Sequence, residues 1–244
     1  MSARKVFRIS GSDARDFLQN LVTNDVDRLA DGLVYAALLT PQGKYLADFF
    51  LVAEGDAILL DVAEGLAEGL AQRLSMYKLR ADVAIDATDL QVAQGFGVPP
   101  KGAYPDPRAP SLGWRAYGAE AICPEDWEAV RIAAEVPESA LDLIPNESFP
   151  LEMGFERLNG VDFRKGCYVG QEVTARMKHK TELRKGLRLV EVEGDAPVGA
   201  DILNGSGKVA GRLGSQAGGK GLAHLRFDRI DDEMTVEGVP LRVV

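Results

Sequence analysis

Three apolar runs joined by tight turns lie in the first third of the chain and restrict its fold more than any other feature. Tyr35 to Thr40, Tyr45 to Val52 and Ala57 to Val62 have strand length, with turns at Pro41-Gln42-Gly43 and Glu54-Gly55-Asp56. A parallel pair needs a crossover of about a dozen residues or more, so these runs are antiparallel neighbours. Ahead of them Ala14, Phe17, Leu18, Leu21 and Val22 recur at helical spacing, and Ser10 with Asp13 has the form of a capping box. A helix is expected over about residues 65–76, followed by an alternating, strand-like run near residues 82–94. The class is α+β rather than a doubly wound sheet.

Residues 99–110 hold five prolines, which remove backbone donors and predict an extended loop. Trp127 to Ala134 reads as a helix ended by Pro137. From Arg184 onward, short apolar runs (187–192, 208–213, 222–227, 241–244) alternate with glycine-rich turns, the pattern of a small antiparallel β-barrel. Two domains are expected, 1–183 and 184–244. A chain of 244 residues, 46% hydrophobic and 27% charged, can bury such cores. No apolar run reaches the roughly 20 residues that span a bilayer, and the N-terminus lacks a secretory pattern. Cys123 and Cys167 are the only cysteines, a usage that fits a reducing compartment and predicts a cytoplasmic protein. A net charge of -9 disfavours nonspecific nucleic-acid binding, so neither nucleic acid nor membrane is an expected partner.

One segment departs from this acidic background. Between Arg164 and Arg188 lie eight basic residues (Arg164, Lys165, Arg176, Lys178, Lys180, Arg184, Lys185, Arg188) against Glu172 and Glu182 alone. Cys167 sits inside the block between Gly166 and Gly170, where nearby cations and a helix start favour a thiolate. Such a loop is a candidate site for an anionic small molecule. Each feature has a plainer reading as well: a cysteine serving as a small hydrophobe, a turn before a helix, and Glu172 with Arg176 as an i, i+4 surface pair.

Lys165-Gly166-Cys167-Tyr168-Val169-Gly170-Gln171-Glu172, followed by Ala175-Arg176, resembles the signature of the YgfZ family. That family comprises folate-binding proteins of iron–sulfur cluster assembly, related to the T-protein (aminomethyltransferase) of the glycine cleavage system. Phe17 to Val26, Leu39 to Lys44, Tyr77 to Arg80, Trp127 with Arg131-Ile132, Leu151-Glu152 and Gly221 to Arg226 are similar to family segments in the family's order. The resemblance implies a T-protein-like folate-binding core with a ferredoxin-like portion near residues 45–95. It implies tetrahydrofolate, or a derivative, as cofactor, and iron–sulfur client proteins or assembly machinery as partners.

By the same resemblance Glu152 holds the pterin edge, and Lys165, Tyr168, Gln171, Glu172 and Arg176 contribute to the folate site. Cys167 is the reactive thiol. Asp48 stands where T-proteins carry two adjacent acids, one of them catalytic; here its neighbours are Ala47 and Phe49, which weakens an aminomethyltransferase reading. That transferase, another one-carbon transferase, and a non-catalytic protein docking acidic clients are the alternatives to an assembly factor. Whether the chain turns over a substrate is left open.

Other motifs fail. Gly214 to Gly221 nearly matches a phosphate-binding loop, but Gly221 stands where a magnesium-binding Ser or Thr belongs. His179, His224 and the two distant cysteines have no zinc spacing, so no metal site is expected.

Overall fold

The computed structural model describes residues 3–118, 120–180 and 182–244; the Lys180 side chain lies outside them. Its first unit runs β1 (Arg4–Ser10), α1 (Ala14–Gln19), β2 (Val34–Leu39), β3 (Tyr45–Glu54), β4 (Ala57–Ala63), α2 (Glu64–Lys78) and β5 (Ala84–Ala87). The strands form an antiparallel sheet in the order β2-β3-β4-β1-β5. Leaving β2 aside as an added edge, β1-α1-β3-β4-α2-β5 is the β-α-β-β-α-β arrangement of ferredoxin-like units. The expected span of 45–95 is therefore corrected to residues 4–87. β1, hidden in an arginine-rich N-terminus, is a central strand, and the run after residue 88 leaves for another sheet.

Strand β2 is buried throughout because both faces of the sheet are covered. Val34, Ala36 and Leu38 pack with α1 and α2, while Tyr35, Ala37 and Leu39 face the opposite core. A bulge at Leu38/Leu39 lets Tyr45 and Asp48, three residues apart, point to the same side. That side is covered by a three-stranded sheet of β6 (Gln91–Gly95), β7 (Tyr104–Pro105) and β8 (Trp114–Gly118), and by the irregular chain around α3 (Trp127–Ala133). The proline-rich loop carries Arg108 inward with it.

Between the layers, three guanidinium groups surround the Phe50 ring, from Arg115, Arg108 and Arg4 at 4.0, 4.7 and 5.8 Å from its centroid. Asp61 accepts hydrogen bonds from Arg4 Nε (2.7 Å) and Arg115 (2.9 Å), and Asp106 pairs with Arg108 at 2.8 Å. Buried charge is tolerated here because each arginine meets a carboxylate.

The Ser10–Asp13 capping box does not form. Asp13 Oδ2 instead accepts the Asp82 N–H, and Asp82 accepts from Ser12, so the start of α1 is tied to the segment between α2 and β5.

After α4 (Gln171–Lys180) come β9 (Lys185–Val192), β10 (Asp201–Leu203), β11 (Val209–Ala217), β12 (Lys220–Arg226), β13 (Thr235–Val236) and β14 (Val239–Val243). They close in the order β10-β11-β12-β9-β14-β13, with β13 pairing back onto β10. The rejected phosphate-loop segment is the β11–β12 hairpin. Arg131 on α3 and Asp142 both bond Ser215 of β11, which fastens the barrel to the core. Among the described residues no helix is long and apolar enough to cross a membrane.

Candidate functional site

The Cys167 loop is held at both ends. On its N-terminal side Asp162 Oδ1 accepts the N–H groups of Arg164 (2.7 Å) and Lys165 (3.2 Å), and the Asp162 N–H donates to Thr23. Thr23 Oγ1 donates to the Gly160 carbonyl, and Asn24 Nδ2 donates to the carbonyls of Asn159 and Tyr35. Lys165 completes the attachment. Its ammonium donates to the main-chain carbonyls of Gln19 (2.7 Å), Val22 (2.6 Å) and Asn24 (2.9 Å). These carbonyls belong to the end of α1 and the turn after it, where acceptors lack intrahelical partners. Burial pushes this ammonium down to about 8.

On the other side Gly170 has φ +84°, and a Cβ there would lie 2.5 Å from the Thr40 carbonyl oxygen. Only glycine lets the helix start sit that close to the turn Thr40–Lys44. Gln171 Oε1 reaches back to accept the Tyr168 N–H at 3.1 Å, and Thr174 Oγ1 donates to the Gly170 carbonyl. Between the anchors Cys167 is free and exposed, and Gly166 has open space where a side chain would be. Tyr168 is half-buried, and burial raises its phenol above the ordinary range. Segments 17–26 and 39–44 thus hold the two ends of segment 165–172, which carries the thiol.

The other candidates lie elsewhere. Glu172 and Arg176 are exposed on α4 and no ion pair joins them, whereas Lys178 pairs with Glu156. Lys165, expected to contribute to the folate site, has its three donors consumed by carbonyls. Asp48 is 2% exposed. Its carboxylate accepts from the hydroxyls of Tyr35 (2.9 Å), Tyr45 (2.6 Å) and Ser139 (2.6 Å). Burial holds both phenols well above their usual range, so they remain donors.

Glu152 lines a cleft of about 480 Å³ at the core–barrel junction, together with Leu151, Arg157, Leu187, Arg188 and Phe227. Its Oε2 lies 3.2 Å from His224 Nε2 and 3.4 Å from Lys185 Nζ, and Arg188 stacks 4.1 Å from the Phe227 ring centroid. Neither Asp48 nor Cys167 lines this cleft, so the expected constellation divides into three places.

Sequence reasoning missed the carbonyl seat of Lys165, which no side-chain pattern encodes, and the tyrosines around Asp48. His224 was within reach, because it lies in one of the family-like segments. Among the described residues no three His, Cys, Asp or Glu side chains converge to hold a metal ion.

The chain is 30% identical over 284 residues to the mouse protein "Iron-sulfur cluster assembly factor IBA57, mitochondrial", covering 97% of this chain and 79% of that one. The chain belongs to the IBA57 family. The human member is 29% identical over 275 residues, covering 94% of this chain and 77% of its own length. A homologue from Mycosarcoma maydis is 37% identical over 216 residues, covering 75% of this chain; the match takes in about half, 54%, of that relative's length. Residues 184–244 match the family model "CAF17, C-terminal beta-barrel domain". The fold is that of the glycine cleavage system aminomethyltransferase T from Bartonella henselae, with TM-score 0.75 at 12% identity, over 98% of this chain and 82% of that one.

These relatives overturn the cytoplasmic expectation. All three IBA57 relatives are mitochondrial by name, which points to the mitochondrion. Sparse cysteines distinguish reducing from oxidising compartments; they do not tell one reducing compartment from another.

Proposed function

We propose that this chain supports the assembly or repair of iron–sulfur clusters in client enzymes, with Cys167 as its working thiol. The observation that carries the reading is the placement of Cys167: free, exposed, and fixed between the Lys165 attachment and the Gly170 contact. A single thiolate cannot fill the four positions of an ordinary cluster. A cluster handled here is therefore cargo whose remaining ligands come from a partner, and exposure of the thiol suits that exchange.

The YgfZ-type signature adds a tetrahydrofolate site, and the Glu152 cleft is where the residues fit one. Its volume falls in the range of small-molecule sites, roughly 300–1,000 Å³. A carboxylate suits the paired N–H groups of a pterin edge, and the Phe227 ring suits its face. Arg188, which lines the cleft, suits a carboxylate of a folate tail. Aminomethyl transfer is not proposed, because Asp48, the one acid at the relevant turn, is enclosed by three hydroxyls.

The test uses a host lacking its own family member, reading the activity of an iron–sulfur enzyme per unit of its polypeptide. Cys167→Ala is expected to fall to the level of the empty host while Cys123→Ala stays at wild type; equal activity of both variants refutes the thiol. For the cleft, an anaerobic titration with tetrahydrofolate should give saturable binding that Glu152→Ala weakens. A folded wild type that binds none removes the folate part alone.

A further inference from the structure

We infer, resting on the reading of Cys167 as the working thiol, that Lys165 is a positioning residue: its ammonium, seated on three main-chain carbonyls, sets the place at which the loop offers Cys167 to a partner. Three acceptors, Gln19, Val22 and Asn24, converge on one ammonium and use all three of its donors. Among the described residues no carboxylate lies within ion-pair distance; Asp25 and Asp162 favour the charge from farther off, and the direct contacts are the three carbonyls. A seat with three convergent acceptors fixes a point in space, whereas a surface ion pair does not.

The consequence for Cys167 follows from chain length. Only Gly166 separates the two residues, and a side chain added at Gly166 would meet nothing within 4 Å. Beyond the thiol, Tyr168 and Val169 pack against two different cores and Gly170 meets the Thr40 turn. Removing the seat leaves the N-terminal side held only through the main-chain bonds of Arg164 and Lys165 to Asp162. The same contact explains why the segment Phe17 to Val26 matters to a thiol over 140 residues away: its main chain is the receptacle.

The experiment uses the full chain in the same host, with hydrogen exchange on the purified proteins. In Lys165→Met the amides of residues 165–170 should lose protection by about tenfold or more, with the sheet and barrel unchanged. Iron–sulfur enzyme activity should fall toward that of Cys167→Ala. A second variant inserts two glycines between Gly166 and Cys167, leaving the seat filled and the fold intact while uncoupling the thiol from it. It is expected to reproduce the loss of activity with a normal unfolding midpoint, which separates misplacement of the thiol from loss of the fold. Full activity of the insertion variant beside an inactive Cys167→Ala overturns the inference and leaves the thiol reading standing. An active Cys167→Ala overturns the thiol reading instead, and unchanged protection in Lys165→Met then overturns the positioning of the loop as well. If Lys165→Met does not fold, the insertion variant decides.

Discussion

Replacing Arg131 with Met tests how the core holds the barrel. The Arg131 side chain has no exposed surface. Its guanidinium donates to the Val136 carbonyl (2.7 Å), Asp142 Oδ2 (3.1 Å), Glu128 Oε2 (2.5 Å) and Ser215 Oγ (2.8 Å). Methionine fills much of the volume and leaves Asp142 buried without its cation. Breaking a buried pair by deleting one partner costs about 3–5 kcal/mol. Asp142 keeps the N–H groups of Glu138 and Ser215 and the Ser215 hydroxyl. Those neutral donors place the expected loss at the lower end, about 3 kcal/mol. For a chain of this size that lowers the unfolding midpoint by roughly 6–12 °C. Equilibrium unfolding in urea gives the loss directly, and Asp142→Asn with the double variant completes a cycle. A coupling of about 1–3 kcal/mol is expected for groups in one network. A loss below about 1 kcal/mol, or strict additivity, would refute the assignment of this arginine as the fastening between core and barrel.

Gly170→Ala, with its Cβ pressed on a main-chain oxygen, should cost about 2 kcal/mol or more, while Gly166→Ala, in open space, should stay within about 0.5 kcal/mol; urea midpoints compare them. Asp48→Asn leaves a buried amide facing three hydroxyl donors and should cost about 1–3 kcal/mol without changing iron–sulfur enzyme support. Loss of support at normal stability would return Asp48 to the working residues. The proton on Lys165 leaves near pH 8 in the folded chain and near 10.5 when the side chain is free. Between those values the unfolded chain binds more protons, so the stability of wild type relative to Lys165→Met should rise with pH from about 8 to 10.5 and stay flat below 8. A difference that falls across that window would contradict burial as the cause.

The elements whose periodicity is dictated by one covered face were legible. The helical spacing from Ala14, the three hairpin-linked runs and the alternation beyond Arg184 all predict the element types found. β1 was not, because Arg4 and Arg8 flank its apolar residues and arginine normally marks surface; here Arg4 is drawn inward by Asp61, 57 residues away. Arg108, Arg115 and Arg131 are buried for the same reason, each by a carboxylate whose place only the fold reveals. The site divides similarly. Cys167 and its glycines could be singled out from local pattern, but the duty of Lys165 could not, since its acceptors are main-chain atoms and carry no residue type. Glu152 is recognisable from its segment, whereas its partners His224 and Lys185 arrive with the barrel.

Chain order gives the Lys165 seat a timing. Its acceptors precede the lysine by 141 to 146 residues. At synthesis rates of about 5–20 residues per second, Lys165 is made roughly 7–30 s after them. β1 to β5, the sheet that supports the seat, is complete by Ala87, well before the loop is made. A growing chain therefore builds the receptacle first and waits for the residue that fills it. Cys167, made two residues after its anchor, never exists on a chain that lacks a place to dock it.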